Sequence, residues 1–153
     1  MYSLIAVAVG AISILLGRFL VIPRISPRPD NLGVTDGQLR PCPDTNNCVN
    51  SQDKSGYAEM EPIPFRGDLD ETRARMVRVI NEMDRAEIVK HTTDYIHAEF
   101  KSLMWGFVDD VELYFDQVNQ VVHFRSASRI GRGDMGVNRD RMRDLSERFA
   151  KAQ

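Results

Sequence analysis

Four strand-like runs crowded between Ala86 and Ser128 limit the folds open to this chain more than any other feature. They cover Ala86 to His91, Asp94 to Met104, Phe107 to Phe115 and Val121 to Ser128, and Thr92-Thr93, Trp105-Gly106 and Val118-Asn119 separate them. Connections this short cannot hold a parallel crossover, so the runs are expected to form an antiparallel meander. Phe107, Val111, Leu113 and Phe115 alternate onto one face of the third run, and Val122 and Phe124 onto one face of the fourth. A turn centred on Val118-Asn119 sets Leu113 opposite Phe124 and Phe115 opposite Val122, which brings the apolar faces together. The same register puts Glu112 opposite Arg125 and Tyr114 opposite His123 on the other face. If solvated, the Glu112–Arg125 pair would add only some tenths of a kcal/mol. Trp105-Gly106 is expected to turn a corner and cover an edge of the core.

Amphipathic helices flank the meander. Asp68-x-x-Glu71 is a capping-box-like start, and Leu69, Met76, Val79, Ile80 and Met83 then fall on one helical face. Asn138 is the expected N-cap of the last helix, with Val137 and Met142 as a hydrophobic staple. Met142, Leu145, Phe149 and Ala152 form its apolar stripe. The expected fold class is therefore α+β: a four-stranded antiparallel meander with two helices on one face, in the order helix-β-β-β-β-helix, leaving the other face more polar.

From Leu4 to Ile22 the chain is apolar except for Arg18, and as a helix it would span about 28 Å. A cleaved secretory signal would want a basic start and small residues near its cleavage site, and neither is present. Residues 1–22 are thus expected to be a single-pass transmembrane anchor contacting lipid, 23–38 a Pro-containing linker, and 39–153 one domain. Cys42 and Cys48, in the turn-rich Pro-Cys-Pro-Asp-Thr-Asn-Asn-Cys, are expected to form a disulfide, which favours the periplasmic, lumenal or extracellular side. Arg18, Arg24 and Arg28 after the apolar segment argue for the opposite side. Zinc is the weaker reading of the cysteines, because His91, His97 and His123 lack finger-like spacing. No metal or cofactor is expected, and a net charge of −2 gives no basic field for nucleic acid.

The segment Pro41 to Ser51, the stretch Phe107-Val108-Asp109-Asp110-Val111-Glu112, and Arg125-Ser126-Ala127-Ser128-Arg129-Ile130-Gly131 running on through Asp134-Met135-Gly136-Val137-Asn138-Arg139 together resemble the domain of unknown function 1499 family. The resemblance extends from about Leu39 to the C-terminus. Where the family usually has Pro-Asn-Cys-Val-Ser-Ser, this chain reads Asn46-Asn47-Cys48-Val49-Asn50-Ser51. It implies a shared fold, often in a membrane-tethered or exported setting, and no activity.

The loop from Arg125 to Asn138 leaves a strand, passes Gly131, Gly133 and Gly136, and enters a helix beside Arg129, Arg132 and Arg139. Exposed N–H groups and guanidinium forks there form a candidate site for an anionic small molecule or a protein partner, with Arg125, Arg129, Arg132, Asp134, Asn138 and Arg139 as its residues. The plainer alternative has the glycines shape a loop while Arg129 and Arg139 pair with Asp109, Asp110 or Asp134 to tie it to the sheet. Asp109 points with Val111 and Leu113 and so needs a partner. A small hydrolase-like enzyme using Asp109, Asp110 and Asp134 is the second functional reading. The first is a non-enzymatic binding or assembly module at a membrane.

Overall fold

A computed structural model of the chain describes residues 2–16, 26–54 and 56–152. The first helix, α1, runs Tyr2–Leu16, 15 residues and so about 22 Å long. Among the described residues no helix is long and apolar enough to cross a membrane. The transmembrane helix expected over Leu4 to Ile22 is therefore not found as such; its part from residue 17 onward, with Arg18, lies outside the described residues, as does Arg24 of the expected linker.

The remaining elements are β1 (Val34–Thr35), β2 (Gln38–Leu39), β3 (Cys48–Asn50), β4 (Ile63–Pro64), α2 (Leu69–Asn81), β5 (Ala86–His91), β6 (Tyr95–Lys101), β7 (Val108–Asp116), β8 (Val121–Ser128) and α3 (Val137–Lys151). The meander β5-β6-β7-β8 is antiparallel throughout, with Leu113 paired to Phe124, Phe115 to Val122 and Glu112 to Arg125. The sheet, however, has six strands rather than four, because β3 and β4 both pair with the outer edge of β8. Strands of three and two residues are too short to show alternation in the sequence, and Pro64 is tolerated there because this is an edge. A separate hairpin joins β1 and β2. Its turn, Asp36-Gly37, has positive φ at both residues (50° and 74°), the requirement of a type I′ connection.

One sheet face carries the core. Val49, Ile96, Ala98, Phe100, Val111, Leu113, Phe115, Val122 and Phe124 meet Met76, Val79, Ile80 and Met83 at α2 and Met142, Leu145 and Phe149 of α3. The helix stripes read from the sequence are those that pack, except that Ala152 is exposed at the C-cap of α3. Asp68 caps α2 by accepting from the N–H groups of Asp70 and Glu71. Asn138 does not cap α3: Gly136 is the N-cap, with φ 86°, and Asn138 is turned into the interior. Val137, the expected staple partner of Met142, is half-exposed. Trp105 likewise lies at an exposed hairpin tip instead of covering the core.

Candidate functional site

The sheet face away from the helices holds the polar chemistry. Strand pleating sends Tyr95, His97 and Glu99 of β6, Asp110 and Glu112 of β7 and Arg125 of β8 to this side, and all six are buried. They are covered by residues 26–40, of which 26–38 belong to the stretch expected to be linker. Arg28 Nε donates to Glu99 Oε1 at 2.7 Å and the Gly33 N–H to Glu112 Oε1 at 2.7 Å. The Glu112–Arg125 pair set by the register is formed, at 3.3 Å, and it lies in the interior.

Arg129 reaches back over this face from just beyond β8. Its guanidinium forks onto Asp110, with Nε at 2.8 Å from Oδ2 and Nη2 at 2.7 Å from Oδ1, and Nη2 lies 2.5 Å from Glu99 Oε1. The ring of His97 closes the group, its Nε2 at 2.7 Å from Asp110 Oδ1. Burial pushes both carboxyls up, but the hydrogen bonds and charge of Arg129, with His97 on Asp110 and Arg28 on Glu99, outweigh it and hold both below the usual carboxylate range. The ligand atoms of His97, Glu99 and Asp110 lie within 4.8 Å of one another, the spacing a metal ion needs. The guanidinium of Arg129 already supplies the positive charge to two of them.

Beside this network is a cavity of about 340 Å³ whose wall includes Arg40, Asn47, Arg125, Arg129 and Arg132, with Asp110 as its carboxylate. Its rim joins two loops: the Asn46 N–H donates to the Arg132 carbonyl at 3.0 Å, and Asn47 Nδ2 to the Gly131 carbonyl at 2.8 Å. Arg125 is only 1% exposed, and its Nε is buried with no hydrogen-bond partner among the described residues. Burial and the like charge of Arg40 push its pKa down against the pull of Glu112. A guanidinium so placed is short of negative charge.

The disulfide between Cys42 and Cys48 is formed and fixes the loop on one side of this cavity. Closing so short a loop removes about 2 kcal/mol of chain entropy from the unfolded state. A Cys42→Ser, Cys48→Ser double variant should therefore lose about 2 kcal/mol, read from the midpoint of urea unfolding.

The sequence-derived candidates separate into two groups. Arg125, Arg129 and Arg132 line the cavity. Asp134, Asn138 and Arg139 serve the start of α3: Asp134 accepts from the N–H groups of Gly136 and Asn138, and Arg139 donates to the carbonyls of Tyr57 and Glu59. Asp109 pairs with Arg141 on the helix-bearing face at 2.5 Å, whereas Asp110 points the opposite way. The three carboxylates of the hydrolase reading therefore do not converge. His97 and Glu99 were missed because alternating polar residues on an outer strand face read as solvated, and Arg28 and Arg40 because they lie outside any strand, in or next to the stretch read as linker. The Asp36-Gly37 turn was the available signal that residues before Leu39 pair and pack.

Residues 38–149 match the model of a family described as protein of unknown function (DUF1499). The match spans well over half of the chain, which belongs to that family. A search of curated proteins finds no match.

Proposed function

We propose that this member of the DUF1499 family is a membrane-tethered binding module whose arginine-lined cavity takes an anionic group, a phosphate or a carboxylate. The observation that carries the reading is the imbalance of the cavity wall. Arg40, Arg125, Arg129 and Arg132 meet there against Asp110, and the buried Nε of Arg125 lacks an acceptor. Arg129 is committed to Asp110 and Glu99, and Arg40 donates to the Asn31 side chain at 2.6 Å, while Arg132 stands exposed at the rim. An anion between these groups would relieve the repulsion of Arg40 and Arg125 and accept planar, charge-assisted hydrogen bonds. For the tether, α1 is apolar and the apolar sequence continues to Ile22; for an oxidising side of the membrane, the Cys42–Cys48 bond is the support.

Calorimetric titration of the full chain in detergent with inorganic phosphate, sulfate and succinate tests the site. At least one anion should bind saturably, and Arg132→Ala and Arg40→Ala should each weaken it about tenfold, the loss of one charge-assisted hydrogen bond. Equal affinities in all three proteins, or no saturable binding of any of the anions, would contradict the proposal.

A further inference from the structure

The β6–β7 connection carries an apolar tip that the cavity does not use. Leu103, Met104 and Trp105 are consecutive and 73%, 60% and 46% exposed, and Phe107 follows them on the same loop. The loop is built rather than slack: the Ser102 N–H donates to the Phe107 carbonyl at 2.9 Å, the Gly106 N–H to the Ser102 carbonyl at 3.2 Å, and the Phe107 N–H to Ser102 Oγ at 3.0 Å. Gly106 takes φ 72°, which lets the chain turn back and present the three side chains outward. Scattered apolar residues on a surface need no explanation, but a contiguous run on one ordered tip marks a contact.

What covers the tip follows from where the N-terminal segment joins the domain. The carbonyl of Ser26 lies 3.5 Å from Arg129 Nη1, and the Arg129 N–H donates to the carbonyl of Val108, the residue after Phe107. The chain arriving from the apolar segment thus enters the fold at the end of the sheet from which the tip projects. Ten Cα steps separate Leu16 from Ser26, so the point where the chain enters the domain lies within about 36 Å of the end of α1. Lys101 and Arg85 flank the tip, paired with Glu87 and Asp84 respectively. Those pairs leave the rim balanced in charge, and it is the apolar and aromatic side chains of the tip that suit the boundary between acyl chains and headgroups.

We infer that Leu103, Met104 and Trp105 form a second membrane contact, seated in the interface of the bilayer that the N-terminal segment enters. The inference rests on the tether in the reading above and is independent of the anion site. Trp105 is the single tryptophan of the chain, so its fluorescence reports the tip alone. The full chain is reconstituted in phosphatidylcholine vesicles with and without bromine-labelled acyl chains. Flotation with the vesicles, a blue-shifted emission and quenching by the brominated lipid are expected, and Leu103→Ser with Met104→Ser should reduce that quenching at least about twofold. Flotation with water-like emission and no quenching would overturn the tip contact and leave the tether standing. Blue-shifted emission without quenching would overturn it too, since protein would then cover the tip. A chain that does not float would overturn tip and tether together.

Discussion

Replacing Arg129 by alanine is expected to destabilise the domain by about 3–5 kcal/mol, because it leaves Asp110 and Glu99 buried without their shared cation. Set against a total of roughly 5–15 kcal/mol for a domain, that is enough to leave the variant marginal or unfolded at physiological temperature. Urea or thermal unfolding of the full chain in detergent measures the loss, and a change under about 1 kcal/mol would show that the network is solvated. The pH dependence gives a second readout with a definite sign. Both carboxyls are held below their unfolded values, so their contribution is present above the ordinary carboxylate range, near pH 4, and is lost as pH falls through the lowered folded values. Without Arg129 the largest remaining influence on Asp110 is burial, which raises its pKa. Between about pH 6 and 4 the wild type should hold or lose stability on acidification, while a still-folded Arg129→Ala should gain it as the uncompensated carboxylates take up protons.

Asn138→Ala is expected to cost nearly as much, about 3–4 kcal/mol, although Asn138 carries no charge. Its side chain is 0% exposed and ties four segments together. Nδ2 donates among the Asn47 carbonyl at 3.0 Å, Ser128 Oγ at 3.0 Å and Asp134 Oδ2 at 2.8 Å; Oδ1 accepts from Ser126 Oγ at 2.6 Å and Arg141 Nη1 at 2.5 Å. The guanidinium of Arg141 can only donate, which fixes which end of the amide is oxygen. Truncation would strand several of these interior groups at about 1–3 kcal/mol apiece, reduced by their overlap. Arg139→Ala, next in sequence, removes only a half-buried clamp on the Tyr57–Glu59 segment and should cost about 1 kcal/mol or less. Similar losses for the two variants would mean that the Asn138 hub is not what holds the start of α3 to β8 and the cysteine loop.

These two residues also mark where the sequence stops being legible. The meander could be read because β7 and β8 alternate over nine and eight residues, long enough to set register through Leu113–Phe124. The pairing of Arg129 with an aspartate was one of the two readings of the glycine loop, since Asp109 and Asp110 lie opposite the end of β8 in the register set by Leu113–Phe124. The burial of that pair could not be read. It depends on residues 26–40 folding back over the second sheet face, and only the short Asp36-Gly37 hairpin announces that the stretch is ordered. Asn138 looked like a helix cap because Asn is favoured there. Asp134 supplies the carboxylate that takes the first N–H groups of α3, which frees the amide of Asn138 to point inward. The cavity was half legible: Arg125, Arg129 and Arg132 come from one contiguous motif, while Arg40 arrives from a distant segment with no local signal.

If the arginines around this cavity hold an anion, nuclear magnetic resonance of the guanidinium N–H groups in the full chain will report it during titration with inorganic phosphate. The signals of Arg40, Arg125 and Arg132 should move saturably and together, while Arg139, Arg143 and Arg148, away from the cavity, stay fixed. In Arg132→Ala the Arg125 shift should require about tenfold more phosphate. Guanidinium signals of the cavity that stay still while phosphate rises, or that drift linearly along with those of the distant arginines, would contradict the claim.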